Sequence, residues 1–171
     1  MSRLSRLSRL SRLALLPLCV LPAMLACGGD TCEPQGLADG AVTATVDGAA
    51  WAGSGATWSV AGDGVQLTTA EADGWRLTLV AAEDEEGQGV AAALVDGESL
   101  VVPLGEGSFA ALYPTGVAGS YATEAAGDGE AVLTRTGDAV AACFSFTASA
   151  ADGTAVDLSG GELVATCVGC D

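Results

Sequence analysis

Seven Asp-Gly dipeptides divide the chain between residues 39 and 153 into short stretches, several of which alternate apolar and polar residues. Glycine reaches positive φ at no steric cost and aspartate bonds to its own backbone, so Asp-Gly between alternating stretches is typical of β-hairpins. The dipeptides lie at residues 39–40, 47–48, 63–64, 73–74, 96–97, 128–129 and 152–153. They predict about nine or ten short strands joined by tight turns.

The alternation has a period of two residues, which is typical of strands with one buried face. The alanine-rich residues 90–95 have helical propensity, but they are few and a glycine follows closely, so we predict a strand there too. Many short strands in one domain predict an all-β antiparallel β-sandwich, with a closed β-barrel as the alternative. The predicted inward residues are Val42, Ala44, Val46, Trp58, Val60, Val65, Leu67, Trp75, Leu77, Leu79, Phe144, Phe146, Ala148, Val156 and Leu158.

The loop at Asp152-Gly153 determines the register of the last predicted hairpin. Phe146 and Leu158 must both face the core, and opposed residues of an antiparallel pair share a face, so the numbers of the paired residues must sum to an even value. A three-residue loop over 151–153 places them opposite each other, whereas a two-residue loop sets Phe146 against Ser159 and exposes one apolar face. The three-residue loop is a type I turn with a bulge, whose third residue is left-handed. We therefore predict positive φ at Gly153.

The N-terminus has the features of an exported lipoprotein. Arginines at positions 3, 6, 9 and 12 precede an apolar run over 13–26, which is shorter than the roughly 20 residues of a spanning helix. This pattern predicts a signal peptide over 1–26. Met24-Leu25-Ala26-Cys27 resembles a lipobox, whose cysteine receives diacylglycerol, and Met24 is too large for ordinary signal peptidase. We predict lipid attachment at Cys27, with plain secretion as the alternative.

After residue 26 only Arg76 and Arg135 are basic, against 22 acidic residues, and the chain has no histidine. So acidic a surface repels nucleic acid, which excludes a nucleic-acid partner. Residues 27–40 are rich in glycine, aspartate and proline and lack periodicity, which predicts a flexible tether. The predicted organisation is therefore the signal peptide, this tether, one β-sandwich domain over 41–167 and a C-terminal tail over 168–171.

Four cysteines follow Cys27, and an even number in an exported chain indicates disulfides among Cys32, Cys143, Cys167 and Cys170. Three pairings are possible. We predict Cys143–Cys167, whose residues lie in consecutive strands, together with Cys32–Cys170. The spacing of Cys167-Val-Gly-Cys170 matches a thiol redox pair, but no helix follows it and Asp171 adds negative charge, so a structural role is favoured.

Other candidate sites have simpler interpretations. The acidic stretch Glu83–Glu86 could attract calcium, but it lacks the spacing that surrounds one ion, so a solvated hairpin tip is favoured. Trp51, Trp58 and Trp75 could stack a sugar, but in a chain with few aromatic residues they are better explained as core residues. Without histidine or lysine only carboxylates could act as catalytic bases, and nothing in the sequence singles out a pair of them, so we predict no catalytic residue, metal or cofactor, and no enzyme.

Two segments resemble an uncharacterised family of small β-rich bacterial lipoproteins. The first runs Thr43-Ala-Thr-Val-Asp-Gly-Ala-Ala-Trp51, and the second joins Phe144-Ser-Phe-Thr-Ala to Val156-Asp-Leu-Ser-Gly-Gly-Glu-Leu163. The likeness spans residues 41–165, although Ala142-Cys143 stands where the family usually has Gly-Thr. It implies a β-rich domain in the cell envelope and no particular chemistry.

Together these features predict a lipoprotein anchored to a membrane of the cell envelope, with a structural or binding role and a protein or small-molecule partner that the sequence does not identify. Gly28, where inner-membrane lipoproteins resembling this one carry aspartate, favours the outer membrane. The alternatives are a carrier of a small apolar ligand, as closed barrels can be, and a thiol oxidoreductase that uses Cys167 and Cys170.

Overall fold

The computed structural model describes residues 32–170 except residues 35, 106, 117 and 126. The predicted signal peptide, the lipid site at Cys27 and Asp171 lie outside these residues. Within the described part, no helix is long and apolar enough to cross a bilayer. The described residues form eleven strands and one short helix: β1 (Val42–Val46), β2 (Ala49–Gly53), β3 (Thr57–Ala61), β4 (Gly64–Thr68), β5 (Trp75–Ala81), α1 (Val90–Ala93), β6 (Ser99–Leu104), β7 (Phe109–Pro114), β8 (Tyr121–Ala122), β9 (Gly129–Thr136), β10 (Ala139–Ser149) and β11 (Ala155–Cys167).

All eleven strands belong to one sheet, which confirms the all-β class. Their order is β2-β1-β11-β3-β4-β5-β7-β8-β10-β9-β6, and a further pairing joins β10 to β11. That pairing closes a circuit of seven strands through β11, β3, β4, β5, β7, β8 and β10, from which β1–β2 and β9–β6 extend. Strands β2 and β6 form the edges.

The sheet differs from the prediction in strand number and in one strand direction. Strands β3 and β11 are parallel, with Thr57 opposite Thr166 and Trp58 opposite Cys167, whereas the sequence predicted antiparallel pairing throughout. These two strands are far apart in the chain, so no hairpin turn determines their relative direction. The Asp-Gly pattern reports only local connections and therefore could not predict this pairing.

A single large cluster of buried apolar side chains, drawn from nearly every strand, lies inside the sheet. The predicted alternation is confirmed along β1, β4, β10 and the first part of β11, where the predicted inward residues are buried. Trp75 is only half-buried. Val60 is wrongly predicted, because its side chain is 59% exposed. Trp58 is the last residue of β3 that pairs with β11. The strand continues beyond it, so the Val60 side chain lies outside the core.

The predicted strand at residues 90–95 is also wrong, because Val90–Ala93 form one helical turn. Val90 and Leu94 are both buried. Their separation of four residues places two side chains on one face of a helix, and alanine favours helical backbone. The helical propensity noted in the sequence was therefore the better guide here.

The register predicted for the last hairpin is confirmed. Phe146 pairs with Leu158, and φ at Gly153 is 83°. The Ala150 N–H donates to the Thr154 carbonyl oxygen at 2.8 Å, which closes the three-residue loop. This hairpin therefore has the turn and bulge that its hydrophobic pattern requires.

A second bulge lies farther along the same hairpin. Phe146 pairs with Leu158 but Phe144 pairs with Gly161, so β11 carries one extra residue between these pairs. The Phe144 ring lies against the Gly161 backbone, and a Cβ atom built on Gly161 would approach Cζ of that ring to 2.8 Å. Glycine at position 161 thus makes room for a buried aromatic ring.

Candidate functional site

The four described cysteines form two disulfides, Cys32–Cys143 and Cys167–Cys170, with Cα–Cα distances of 5.5 Å and 5.9 Å. The predicted pairs Cys143–Cys167 and Cys32–Cys170 are wrong. Cys143 lies opposite Glu162, five residues before Cys167 on β11. At about 3.3 Å per residue, Cys167 is roughly 17 Å farther along the strand, well beyond the limit of about 7 Å for a disulfide.

The Cys32–Cys143 bridge lies on the outer face of the sheet. Cys143 stands between Ala142 and Phe144, which belong to the main core, so its side chain points to the opposite face. On that face Cys32, Cys143 and Val132 are buried in a small separate cluster, with Val101 and Ala141 packed against it. The N-terminal segment therefore covers Cys143 and is covalently attached to β10.

The bridge fixes part of the segment predicted as a flexible tether. Cys32 is only 2% exposed, although it lies within residues 27–40. The segment joins the sheet again at Gly40, whose N–H donates to the Val164 carbonyl oxygen at 2.7 Å and whose carbonyl oxygen accepts from the Ala56 N–H at 2.9 Å. The folded unit thus includes residues before the predicted domain boundary at residue 41.

The Cys167–Cys170 bridge lies at the end of β11. Cys167 is half-buried and packs against the core, whereas Cys170 is exposed. The intervening Val168 donates its N–H to the Trp58 carbonyl oxygen at 2.9 Å, which continues the contact with β3. A disulfide with one exposed cysteine can be attacked by a thiolate from another molecule.

Trp58 occupies the centre of this end of the sheet. Its Nε1 donates to the Asp138 carbonyl oxygen at 2.9 Å, and the Arg135 guanidinium lies 5.4 Å from its ring centroid. The backbone N–H of Cys167 also donates to the Asp138 carbonyl oxygen, at 3.0 Å. The C-terminal cysteines therefore adjoin a tryptophan, a backbone carbonyl and a cation that is already stacked on the indole.

The burial and contacts of the other two tryptophans, Trp51 and Trp75, support the prediction that they are packing residues. Trp51 is buried, and its Nε1 donates to the Ala72 carbonyl oxygen at 2.9 Å. Trp75 is half-buried and meets Tyr121 edge to face, with ring centroids 5.9 Å apart. A sugar would need exposed faces of such rings, and Trp51 and Trp58 offer none.

The acidic stretch Glu83–Glu86 forms a self-contained turn. The Asp84 Oδ1 atom accepts hydrogen bonds from the backbone N–H groups of Glu86 and Gln88, at 2.9 Å and 2.7 Å. Ser108 holds the start of the turn, where its Oγ accepts from the Ala82 N–H at 2.9 Å. Among the described residues, no group of three or more histidine, cysteine, aspartate or glutamate side chains is placed to hold a metal ion.

Two exposed aspartates outside this turn have the pKa of the carboxyl lowered. Hydrogen bonds from the backbone N–H groups of Ala125 and Glu124 lower the pKa of Asp128. The hydroxyl of Thr154, and then its backbone N–H, lower the pKa of Asp152. Both carboxylates accept hydrogen bonds within their own turns, so they stabilise the loops that carry them.

Several clefts open on the surface of the described region. One, of about 590 Å³, lies between the β3–β4 turn, the acidic turn and α1, and is lined mainly by glycine and alanine with Asp63 and Glu83. Another, of about 450 Å³, lies between Pro114, Tyr121 and the loop at 150–154. A carrier of an apolar ligand needs a cavity of at least about 300 Å³ with mainly apolar walls, and carboxylates do not favour such a ligand.

The described residues thus combine a packed all-β domain with two features that bear on function. One disulfide attaches the N-terminal segment to the outer face of the sheet, and the other closes the C-terminal Cys-x-x-Cys. The sequence feature that could have indicated the Cys32–Cys143 disulfide is the position of Cys143 beside Phe144, which places Cys143 on the outward face of its strand. A scan of the chain against models of protein families finds no match, and a search of curated proteins finds no similar sequence.

Proposed function

We propose that the chain is an exported lipoprotein whose β domain is anchored to a membrane of the cell envelope by lipid on Cys27, with a structural or binding role. The observation that carries the proposal is the pairing of all four later cysteines with one another. Neither bridge uses Cys27, which agrees with its predicted role as the lipid-bearing cysteine. The lipobox-like Met24-Leu25-Ala26-Cys27 provides the recognition sequence.

Two further observations support this proposal. Disulfides form and persist in oxidising compartments outside the cytoplasm, so two of them agree with export. The resemblance to small β-rich bacterial lipoproteins points to the same location, and Gly28 favours the outer membrane. Most of the described carboxylates lie in turns and loops, where they keep an anchored domain soluble and away from nucleic acid.

Replacing Cys27 by serine tests the anchor. We expect the Cys27→Ser chain to leave the membrane fraction and to lose incorporation of a labelled fatty acid, because no other site carries the predicted lipid. Cys19→Ser is the matched control, since Cys19 lies within the predicted signal peptide and should leave labelling unchanged. Fatty-acid label that persists in Cys27→Ser would contradict the proposal.

The Cys167–Cys170 disulfide favours one second candidate, a thiol oxidoreductase. In that role a substrate thiolate attacks the Cys170 sulfur, the bridge breaks, and the electron pair leaves on the Cys167 sulfur. A second substrate thiol then displaces Cys170, so the substrate is oxidised to a disulfide and both cysteines are reduced. We expect this candidate to oxidise a dithiol peptide with the loss of one bridge per peptide, and Cys170→Ala to be inactive; an inert Cys167–Cys170 bridge rejects it.

A further inference from the structure

We infer that the Cys32–Cys143 disulfide holds one face of the sheet against the lipid headgroups. We name this surface the anchor face: the outer side of β6, β9 and β10, which carries Val101, Pro103, Thr134, Ala141 and Ser145 around the bridge. The inference rests on the proposed lipid at Cys27. It specifies which side of the domain faces the membrane, whereas a flexible tether would allow any side to do so.

The length of chain between the lipid and the bridge carries the argument. Cys32 follows Cys27 by five residues, which span at most about 17 Å when fully extended. Counted instead to Gly40, whose backbone is hydrogen-bonded to Val164, the thirteen residues after Cys27 would reach about 45 Å. A domain of this length has a radius of gyration of about 14 Å and is roughly 35 Å across. With the bridge formed, the opposite side therefore cannot reach the membrane.

The chemistry of the anchor face fits a lipid surface. Strand pairing places Val101, Val132 and Cys143 in one row across it, and the neighbouring outward positions are alanine, serine, threonine or proline. Glu130 is the carboxylate that β6, β9 and β10 place on this face, the neighbouring strand β11 borders it with the half-buried Glu162 and the exposed Asp157, opposite Cys143 and Thr147, and most other described acids lie in turns and loops. Since anionic headgroups repel carboxylates, the side of an acidic domain nearest the membrane should carry few of them.

The closed circuit of strands identifies the side that faces away. Strands β4 and β5 each lie three steps from β10, in opposite directions around the circuit. Gln66 on β4 alternates with the buried Val65 and Leu67, so it points outward from this distal wall. Ser145 on β10 is exposed and points outward from the anchor face. These two positions suit a pair of probes that introduce no new cysteine.

The test measures how strongly lipid-attached quenchers reduce the fluorescence of a non-natural amino acid at Ser145 or at Gln66. The acylated mature chain is reconstituted in vesicles whose headgroups carry the quencher. We expect quenching severalfold stronger at Ser145 than at Gln66. Inserting about ten glycine and serine residues between Gly29 and Asp30 should remove the difference, because it restores the reach of a long tether and changes no residue that the structure describes.

Cys167→Ala with Cys170→Ala is the matched control and should keep the difference, since it removes the other bridge. Equal quenching at the two positions of an acylated, vesicle-bound native chain overturns the inference alone. A chain that carries no acyl mass and does not float with vesicles overturns the proposed function and, with it, the inference. A difference that survives the insertion overturns the role of the short connection.

Discussion

The two disulfides should differ strongly in their contributions to stability. Cys32 and Cys143 are separated by 111 residues, and Cys167 and Cys170 by 3. In the chain-entropy model, the first bridge restricts the unfolded chain by about 5 kcal/mol and the second by about 2 kcal/mol. Paired replacement by alanine removes each bridge without leaving a buried hydroxyl, so the difference of about 3 kcal/mol reflects loop length.

Thermal unfolding converts these free energies into melting temperatures. A domain of this length has an unfolding entropy of about 0.3 kcal/mol/K. We expect loss of Cys32–Cys143 to lower Tm by about 15 °C and loss of Cys167–Cys170 by about 6 °C. Calorimetry of the oxidised chain without signal peptide and lipid, with both double variants alongside, gives the comparison. Equal losses, or a larger loss for the C-terminal pair, would refute the reasoning.

Three further changes probe turns and packing. Gly161→Ala places a Cβ atom on the buried Phe144 ring, so it should destabilise by about 1–3 kcal/mol in urea unfolding, and an unchanged midpoint would contradict that contact. Gly153→Val forces a β-branched residue to positive φ and should reduce stability by about 1 kcal/mol or more; a neutral effect would show that the turn relaxes. Asp152→Asn removes a carboxyl group whose pKa is lowered in the folded chain. Because of that lowered pKa, the ionised carboxylate stabilises the fold at pH values above its unfolded pKa of about 3.9, and this stabilisation is lost as the pH falls through the folded pKa. The stability deficit of this variant at neutral pH should therefore shrink below about pH 4, and a constant deficit would exclude the bond to Thr154 as its cause.

The last hairpin could be predicted because two independent constraints agree there. Phe146 and Leu158 had to share the buried face, and Gly153 stood where the loop needs positive φ. The same register excludes the predicted Cys143–Cys167 bridge, since even without the second bulge it would place Cys143 opposite residue 161, and with the bulge Cys143 lies opposite Glu162, far from Cys167 in either case. The sequence therefore contained enough information to reject the Cys143–Cys167 disulfide. That disulfide was wrongly predicted because only the neighbouring positions of the two strands were considered and their register was not.

Other features depend on contacts that local patterns do not encode. The parallel pairing of Trp58 with Cys167 joins distant segments, and the bulge before Gly161 appears only when the Phe144 ring is placed against the backbone. The attachment of Cys32 to Cys143 likewise depends on how the N-terminal segment crosses β10. Alternation reports which face of a strand is buried, whereas closure of the sheet depends on packing of the whole domain.

Mass analysis of the protein extracted from membranes, digested without reduction, tests the central claim most directly. Cleavage after Arg76 and Arg135 should give an acylated fragment 27–76 joined by a disulfide to fragment 136–171, with fragment 77–135 separate. Further cleavage after Glu162 should release fragment 163–171 with its own internal bridge. An N-terminal fragment without acyl chains, or a fragment 163–171 that stays attached until reduction, would contradict the account.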